Sequence, residues 1–223
     1  MTNYAVELKN VYKRFPLPTG GELEACKNIN ITLEKGESLG IVGESGCGKS
    51  TTGRTILKLL EPTGGKILFD GKDITNYSRK QMRPLRQEMQ MVFQDPFSSL
   101  DPRQTVMQLI SEPIIEHKLL KSKSDIEERT LELMRTVGLA ERYMNVYPHE
   151  LDGGRRQRIG IARVLLRNPD VCLMDEPSSA LDALHEKELL HTLETEYAGK
   201  TLLLISHRAS TLTGCERILN AEK

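Results

Sequence analysis

Two segments near the start of the chain alternate apolar and polar residues, which is typical of strands with one buried face. The first covers residues 4–11, and the second covers residues 26–33, where Ile29, Ile31 and Leu33 share a face. A turn-rich stretch, residues 13–21, separates the two segments. The pattern predicts an antiparallel β flap that precedes the rest of the fold.

Short runs of continuous apolar residues predict buried strands at residues 38–42, 171–174 and 202–205. A further strand, predicted at residues 88–93, alternates and ends at Gln94. Ligands bind at the carboxyl ends of strands in open α/β sheets, so a polar residue at this point is expected to contact a ligand. A solvated turn is the alternative role for Gln94.

Apolar residues at helical spacing fill most of residues 105–142. The pattern also predicts a helix at residues 51–60, a helix that ends at Leu166, and a polar helix at residues 79–86, which Pro84 is expected to interrupt. We therefore predict an α/β fold with an inserted α-helical subdomain. The predicted division is a core with its β flap at residues 1–95 and 167–223, and a helical subdomain at residues 96–166.

Composition excludes several classes of function. The 223 residues carry 31 Lys and Arg against 31 Asp and Glu and include no Trp, which argues against binding to nucleic acid. The four cysteines lack the spacing of a metal or redox motif, which favours a reducing compartment. No apolar run approaches the ~20 residues that a membrane-spanning helix needs, and the first residues do not resemble a signal peptide. We expect a cytoplasmic protein that only a partner can hold at a membrane.

Residues 43–50 read Gly-Glu-Ser-Gly-Cys-Gly-Lys-Ser and fit the pattern G-x-x-x-x-G-K-[ST] between a predicted strand and a predicted helix. The glycines allow a tight loop whose backbone N–H groups bind an anion. Lys49 would reach the β- and γ-phosphates, and the Ser50 hydroxyl would ligate Mg²⁺. A chance glycine-rich turn is the alternative. The motif predicts a nucleoside-triphosphate site composed of Gly43, Glu44, Ser45, Gly46, Cys47, Gly48, Lys49, Ser50 and Thr51.

Residues that follow two of the buried strands would complete such a site. Asp175 would hold Mg²⁺, usually through water, and Glu176 would polarise the attacking water. His207 would hydrogen-bond the γ-phosphate, although the residues alone leave a surface role equally open. Phe15 would stack on an adenine from the flap, but a lone loop aromatic more often packs against the protein.

These residues, in this order, resemble the ATP-binding cassette family over nearly the whole chain. Residues 43–50 resemble its Walker A loop, residues 171–175 its Walker B strand, and residues 151–157 its signature region. The resemblance implies a P-loop NTPase core that uses ATP and Mg²⁺. It also assigns individual roles: Gln94 as a metal-binding and catalytic Q-loop residue, Glu176 as the catalytic glutamate, His207 as the switch histidine, Phe15 as the adenine-stacking aromatic, and Asp182 as part of the D-loop at residues 179–182.

Within that family, residues 92–103 and 147–151 resemble the ATPases of oligopeptide, dipeptide and nickel importers, whereas residues 204–212 are closer to exporter cassettes. The resemblance implies a head-to-tail dimer with an identical or different ATPase subunit, transmembrane permease subunits and, indirectly, a solute-binding protein. The expected function is ATP hydrolysis that powers import of small peptides or a related solute, from the inner face of the cell membrane. An ATP-dependent switch with little hydrolysis and an exporter-type cassette are the alternatives.

The signature departs from the usual Leu-Ser-Gly-Gly-Gln, because Asp152 replaces the serine and Arg155 the glutamine, on either side of Gly153 and Gly154. A carboxylate facing another subunit's ATP would be repelled by roughly 4 kcal/mol per unit-charge pair at ~4 Å and a dielectric of ~20, before screening. We therefore expect a weaker half-site and a reduced rate. The alternative is that Asp152 caps a helix and Arg155 cancels its charge, and the two interpretations are compatible.

Overall fold

A computed structural model of the chain describes residues 3–94, 100–179, 181, 183–196 and 198–221, without the side chains of residues 183–185 and 194. Its helices and strands follow in chain order: β1 (Tyr4–Pro16), β2 (Glu22–Glu34), β3 (Ser38–Val42), α1 (Lys49–Ile56), β4 (Gly64–Phe69), β5 (Lys72–Asp73), α2 (Arg79–Glu88), β6 (Met89–Val92), α3 (Val106–Glu116), α4 (Lys123–Thr136), α5 (Gly153–Arg167), β7 (Val171–Asp175), α6 (Ala183–Glu196), β8 (Thr201–Ser206) and β9 (Arg217–Asn220).

The chain forms two compact units. The first comprises Met1–Gln90, Asp170–Asp175 and Tyr197–Lys223, and the second comprises Met91–Pro169 and Glu176–Glu196. The division into core and helical subdomain that the sequence suggested stays a prediction. Among the described residues, no helix has both the length and the apolar character needed to cross a bilayer.

The predicted flap is an antiparallel sheet with strand order β2-β1-β4-β5. A second sheet has the order β6-β7-β8-β3-β9, and its β7–β8, β8–β3 and β3–β9 pairs are parallel. Every residue of β7 and β8 is buried, which explains their continuous apolar sequences. Val42 pairs with Ser206 and Asp175 with Ile205, so the carboxyl ends of β3, β7 and β8 lie at the same edge of the sheet.

The first strand is longer than its alternating pattern predicted. It continues through Pro16, and Phe15 lies opposite Leu23 on β2. Arg14 holds this extension to β2, because its guanidinium donates to Glu24 at 3.1 and 3.2 Å. The prediction of a loop at residues 13–16 was therefore wrong, because cross-strand pairing maintains the strand where the local sequence favours turns.

Two helices differ from their predicted lengths. The first, α1, ends at Ile56 rather than at residue 60, and Lys58 just beyond it has φ +50°. The buried ammonium of Lys58 donates to the Tyr77 carbonyl at 3.1 Å, and the positive φ at this residue is incompatible with a continuing helix. The second, α2, continues through Pro84 to Glu88 after a Ser78/Gln81 capping box, so the expected interruption does not occur.

In the second unit, α3, α4 and α5 pack through their apolar faces, as the helical spacing predicted. Leu109, Ile110, Met134 and Ile159 are all fully or almost fully buried there. Arg163 of α5 fixes this packing, since it donates to the Leu109 carbonyl at 3.0 Å and to the Glu112 carboxylate at 2.7 Å. These contacts therefore hold α5, whose first residues belong to the signature, against α3.

Candidate nucleotide-binding site

The loop after β3 closes around the ammonium group of Lys49. This side chain is buried, and its Nζ donates to the carbonyls of Gly43 at 2.7 Å and Glu44 at 2.8 Å and lies 3.7 Å from the sulfur of Cys47. Residues 44–46, at the tip of the loop, are exposed. A buried cation is thus held within a loop that is open to solvent, an arrangement that fits a strongly anionic ligand.

Gly48 lets the loop pass closely over β2. Its φ of +96° is strained for any residue with a side chain, and a Cβ here would lie 2.1 Å from the carbonyl oxygen of Ala25. Neighbouring Cys26 extends the contact, because its sulfur lies 3.5 Å from the Thr52 hydroxyl at the start of α1. Burial raises the pKa of the Cys26 thiol, so the group stays neutral and packs beneath the loop.

We predict that Gly48→Ala lowers the free energy of unfolding by more than about 3 kcal/mol and eliminates ATP binding. Positive φ costs an L-residue roughly 1–2 kcal/mol, and the clash with the Ala25 backbone adds to that cost. Gly46→Ala is the matched control, since Gly46 has φ +81° but no atom within 4 Å of the added Cβ. Denaturant unfolding measures both changes. Equal destabilisation by the two variants would show that the close approach has no energetic role.

Ser50 and Asp175 are 125 residues apart in sequence but share a hydrogen bond. The Ser50 hydroxyl donates to Oδ1 of Asp175 at 2.7 Å, and Asp175 is fully buried at the end of β7. Hard oxygen donors of this kind suit Mg²⁺, which takes one or two protein oxygens and completes its shell with phosphate and water. Among the described residues, no cluster of three or more His, Cys, Asp or Glu side chains could hold a metal ion. The pair therefore fits a Mg²⁺ that arrives with a phosphate ligand.

The remaining predicted residues of the site follow strands, as expected. Glu176 directly follows Asp175, is almost fully buried and has φ +51°, in the left-handed region that few non-glycine residues adopt. His207 follows β8 and Gln94 lies two residues beyond β6, and both are exposed. Their catalytic and metal-binding roles stay predictions. Asp182 lies outside the described residues.

Phe15 is half-buried near the end of β1. The ammonium of Lys13 lies 4.8 Å from the centre of its ring, and the same ammonium donates to the Glu61 carbonyl at 2.8 Å. This cation–π contact uses one face of the ring. Stacking of an adenine on Phe15 stays a prediction.

In the signature, Asp152 caps a helix and pairs with Arg155, which is the alternative that the sequence offered to repulsion of ATP by an unpaired Asp152. Asp152 is the N-cap of α5, and its Oδ1 accepts from the Arg155 backbone N–H at 2.8 Å. Its other oxygen forms an ion pair with the Arg155 guanidinium, which lies 4.8 Å above the Tyr143 ring. Capping and charge pairing of Asp152 are therefore both confirmed.

Two further polar contacts near the predicted site were not anticipated from the sequence. Gln157 of α5 is almost fully buried, and its Nε2 donates to the Phe93 carbonyl at 3.4 Å, next to Gln94. Ser178, two residues beyond Glu176, donates to Glu186 of α6 at 2.6 Å. A glutamine on the buried face of α5 was the one available signal, because buried amides usually hydrogen-bond to the backbone.

A cleft of about 420 Å³ in the first unit lies away from these residues. Gly36, Asp170 and Thr201 line it, so it sits at the opposite edge of the parallel sheet, where β3, β7 and β8 begin. Ligands of α/β sheets bind at the carboxyl ends of the strands. The loop at residues 43–50, which we call the phosphate loop, is therefore the candidate nucleotide site, and this cleft is not.

Comparison with known proteins identifies the family. The model of the ABC transporter family matches residues 26–179. The oligopeptide transport ATP-binding proteins AppF and OppF of Bacillus subtilis (strain 168) are 45% and 44% identical over 216 and 213 residues, which cover 93% and 94% of this chain and 65% and 70% of those proteins. The chain thus spans about two thirds of the length of these curated relatives.

Solved structures support the same conclusion about the fold. The ATP-binding cassette MJ0796, in a dimeric post-hydrolysis state bound to ADP and Pi, superposes with a TM-score of 0.90 at 32% identity, over 96% of this chain and 93% of that one. The predicted α/β fold, with its antiparallel sheet, is therefore confirmed. From its sequence, its fold and the geometry of its phosphate loop, the chain belongs to the ABC transporter family of ATP-binding proteins.

Proposed function

We propose that this chain binds ATP with Mg²⁺ and hydrolyses it as the ATPase subunit of a transporter that imports small peptides or a related solute. The observation that carries the proposal is the phosphate loop: a buried Lys49 ammonium bonded to two loop carbonyls, with the Ser50–Asp175 pair 2.7 Å apart at the start of α1. The names of the relatives AppF and OppF, which are oligopeptide transport proteins, support the class of solute.

Each residue of the proposed site has a separate role in ATP binding or hydrolysis. Lys49 exchanges its bonds to the Gly43 and Glu44 carbonyls for bonds to phosphate oxygens, which are stronger because both groups are charged. Ser50 and Asp175 would hold Mg²⁺, and Glu176 would accept the proton of the attacking water. Mg²⁺, when bound, neutralises the negative charge that develops on the phosphates. His207 hydrogen-bonds the terminal phosphate.

The proposal includes partners. A second cassette, identical or different, would complete each ATP site with its signature residues, as the dimeric state of the similar cassette MJ0796 suggests. Permease subunits would hold the chain at the cytoplasmic face of the membrane and would receive solute from a solute-binding protein. ATP binding and hydrolysis can switch the transporter between closed and open states only if ATP binds these two states with different affinity.

Uptake of a radiolabelled tripeptide tests the transport role. Cells that lack this chain should take up the peptide at background rate, and the parent chain should restore uptake. Asp175→Asn should not restore it, because the oxygen that accepts from Ser50 would lose its charge. Uptake that is independent of the chain would overturn the import proposal. A change in efflux instead would favour the exporter alternative, and full uptake with negligible ATP hydrolysis would favour the switch alternative.

A further inference from the structure

Four residues beside the start of α5 form a compact charged group, which we call the signature cluster: Arg142, Tyr143, Asp152 and Arg155. The guanidiniums of Arg142 and Arg155 lie 5.1 and 4.8 Å from the centre of the Tyr143 ring. Arg142 also donates to the Tyr143 hydroxyl at 3.2 Å. Together these residues line part of a cleft of about 300 Å³ within the second unit.

Both carboxylate oxygens of Asp152 bond to Arg155 within the cluster. One carboxylate oxygen accepts from the Arg155 backbone N–H at 2.8 Å, and the other accepts from the Arg155 guanidinium. The cluster contains two arginines and one aspartate, so its net charge is positive and not negative as the substitution of serine by aspartate alone suggests. The repulsion of a polyanion by Asp152 is therefore offset before any ligand approaches.

Arg155 is held on two sides but remains accessible. Its guanidinium rests on the Tyr143 ring and bonds to Asp152, while 41% of its side chain is exposed. Within the described part of the chain, Asp152 is the one acceptor that bonds to its guanidinium, so other N–H donors of the five remain for a ligand. A guanidinium held in this way loses little conformational freedom when it binds a phosphate, and its fork of donors matches phosphate oxygens.

We propose that Arg155 is the residue through which this signature contacts the phosphates of the nucleotide held by a second cassette, and that Asp152 and Tyr143 position its guanidinium. The inference rests on the proposed function and deepens it, because it replaces the hydroxyl donor of the usual signature with an arginine. A signature of this kind attracts phosphate electrostatically, so its contribution to dimer closure weakens as the salt concentration rises.

The test measures the ATP concentration that gives half-maximal association of the chain with the second cassette of its transporter, or with a second copy where the dimer is identical. All variants carry Glu176→Gln to prevent turnover. Arg155→Gln should raise that concentration about fivefold or more, because it leaves the Asp152 carboxylate uncompensated. The decisive comparison is between Asp152→Ser and the Asp152→Ser/Arg155→Gln double variant.

If Arg155 contacts phosphate, Asp152→Ser should associate at an ATP concentration at least fivefold lower than the double variant does. If Arg155 only neutralises Asp152, those two variants should be equal, and that result would overturn the proposal. Raising the salt concentration should narrow the difference between them. Arg155→Lys, which keeps the charge but loses the planar fork, should fall between the parent and Arg155→Gln, and thermal unfolding should show that each variant is folded.

Arg129→Gln is the matched control, because Arg129 lies on α4 outside the signature cluster, forms a similar i,i+3 ion pair with Glu132, and has a side chain that is 40% exposed. It should change the association by no more than about twofold. An effect as large as that of Arg155→Gln would show that only net charge matters and would contradict a specific role. Tyr143→Leu should weaken association more than Tyr143→Phe does, because only the leucine variant removes the aromatic ring that supports the guanidinium.

The two proposals fail differently. If the chain with intact Arg155 and Asp152 neither retains ATP nor associates when ATP is added, both the proposed function and the role of Arg155 are overturned. If ATP-dependent association is normal but Asp152→Ser and the double variant coincide, only the role of Arg155 is overturned.

Discussion

Lys49→Ala is expected to weaken ATP binding at least a hundredfold and to reduce hydrolysis to background. The ammonium is the one charged group that the loop encloses in the described structure, where it holds two carbonyls at 2.7 and 2.8 Å. Hydrogen bonds to charged groups contribute roughly 1.5–3 kcal/mol each, so loss of two phosphate contacts costs about 3–6 kcal/mol. Titration with a fluorescent ATP analogue measures binding, and release of inorganic phosphate measures hydrolysis.

The control for this variant is Lys72→Ala, which removes an equal charge from an exposed position on β5 of the same unit. It should bind and hydrolyse ATP as the parent does. Thermal unfolding should show that the Lys49 variant is folded, because the carbonyls that it frees lie in a loop open to solvent. ATP binding within about tenfold of the parent value would remove the phosphate loop from the proposed mechanism.

Glu176→Gln should separate binding from hydrolysis. We expect the variant to retain ATP binding and to lose ATP hydrolysis. General-base catalysis contributes roughly 10²–10⁴-fold, so hydrolysis should fall at least a hundredfold while affinity changes by less than about twofold. Glutamine keeps the size of the side chain at this buried position with φ +51° and removes only the charge and basicity. The ATP-bound dimer should therefore accumulate, which sedimentation in the presence of ATP and Mg²⁺ would detect.

Glu216→Gln serves as the control, because Glu216 is an exposed carboxylate of the first unit. Its rate should equal that of the parent. Residual hydrolysis within about tenfold of the parent in Glu176→Gln would exclude Glu176 as the base. Asp175→Asn offers a contrast: the loss should fall on Mg²⁺-dependent binding, since that carboxylate pairs with Ser50.

The sequence predicted the elements of the fold better than their ends. The buried strands were found because β7 and β8 each contain four consecutive apolar residues, at 171–174 and 202–205. The ends were wrong where a distant residue decided them. Arg14, on the part of β1 that was not predicted, bonds to Glu24 of β2, and Lys58, just beyond the end of α1, bonds to the Tyr77 carbonyl. Local propensity contains no information about either partner.

The candidate site divides in the same way. The phosphate loop was predictable residue by residue, because glycines at positive φ and a lysine at fixed spacing meet requirements that are local to the backbone. The contact of Gln157 with the Phe93 carbonyl was not, since it depends on how α5 packs within the second unit. The unusual signature was visible in the sequence, but the arrangement in which Arg155 lies on the Tyr143 ring was not.

By itself, then, the sequence indicated the family, the glycine-rich loop at residues 43–50 and the buried strands, because these depend on residue type and on short-range spacing. Only the tertiary structure decided that the Asp152 carboxylate pairs with the Arg155 guanidinium and that this guanidinium lies on the Tyr143 ring. It also decided that the Ser50 hydroxyl donates to Asp175, 125 residues away in sequence. The physical reason is that the strength of a charge or a hydrogen-bonding group depends on what surrounds it, and folding brings those surroundings from distant parts of the chain.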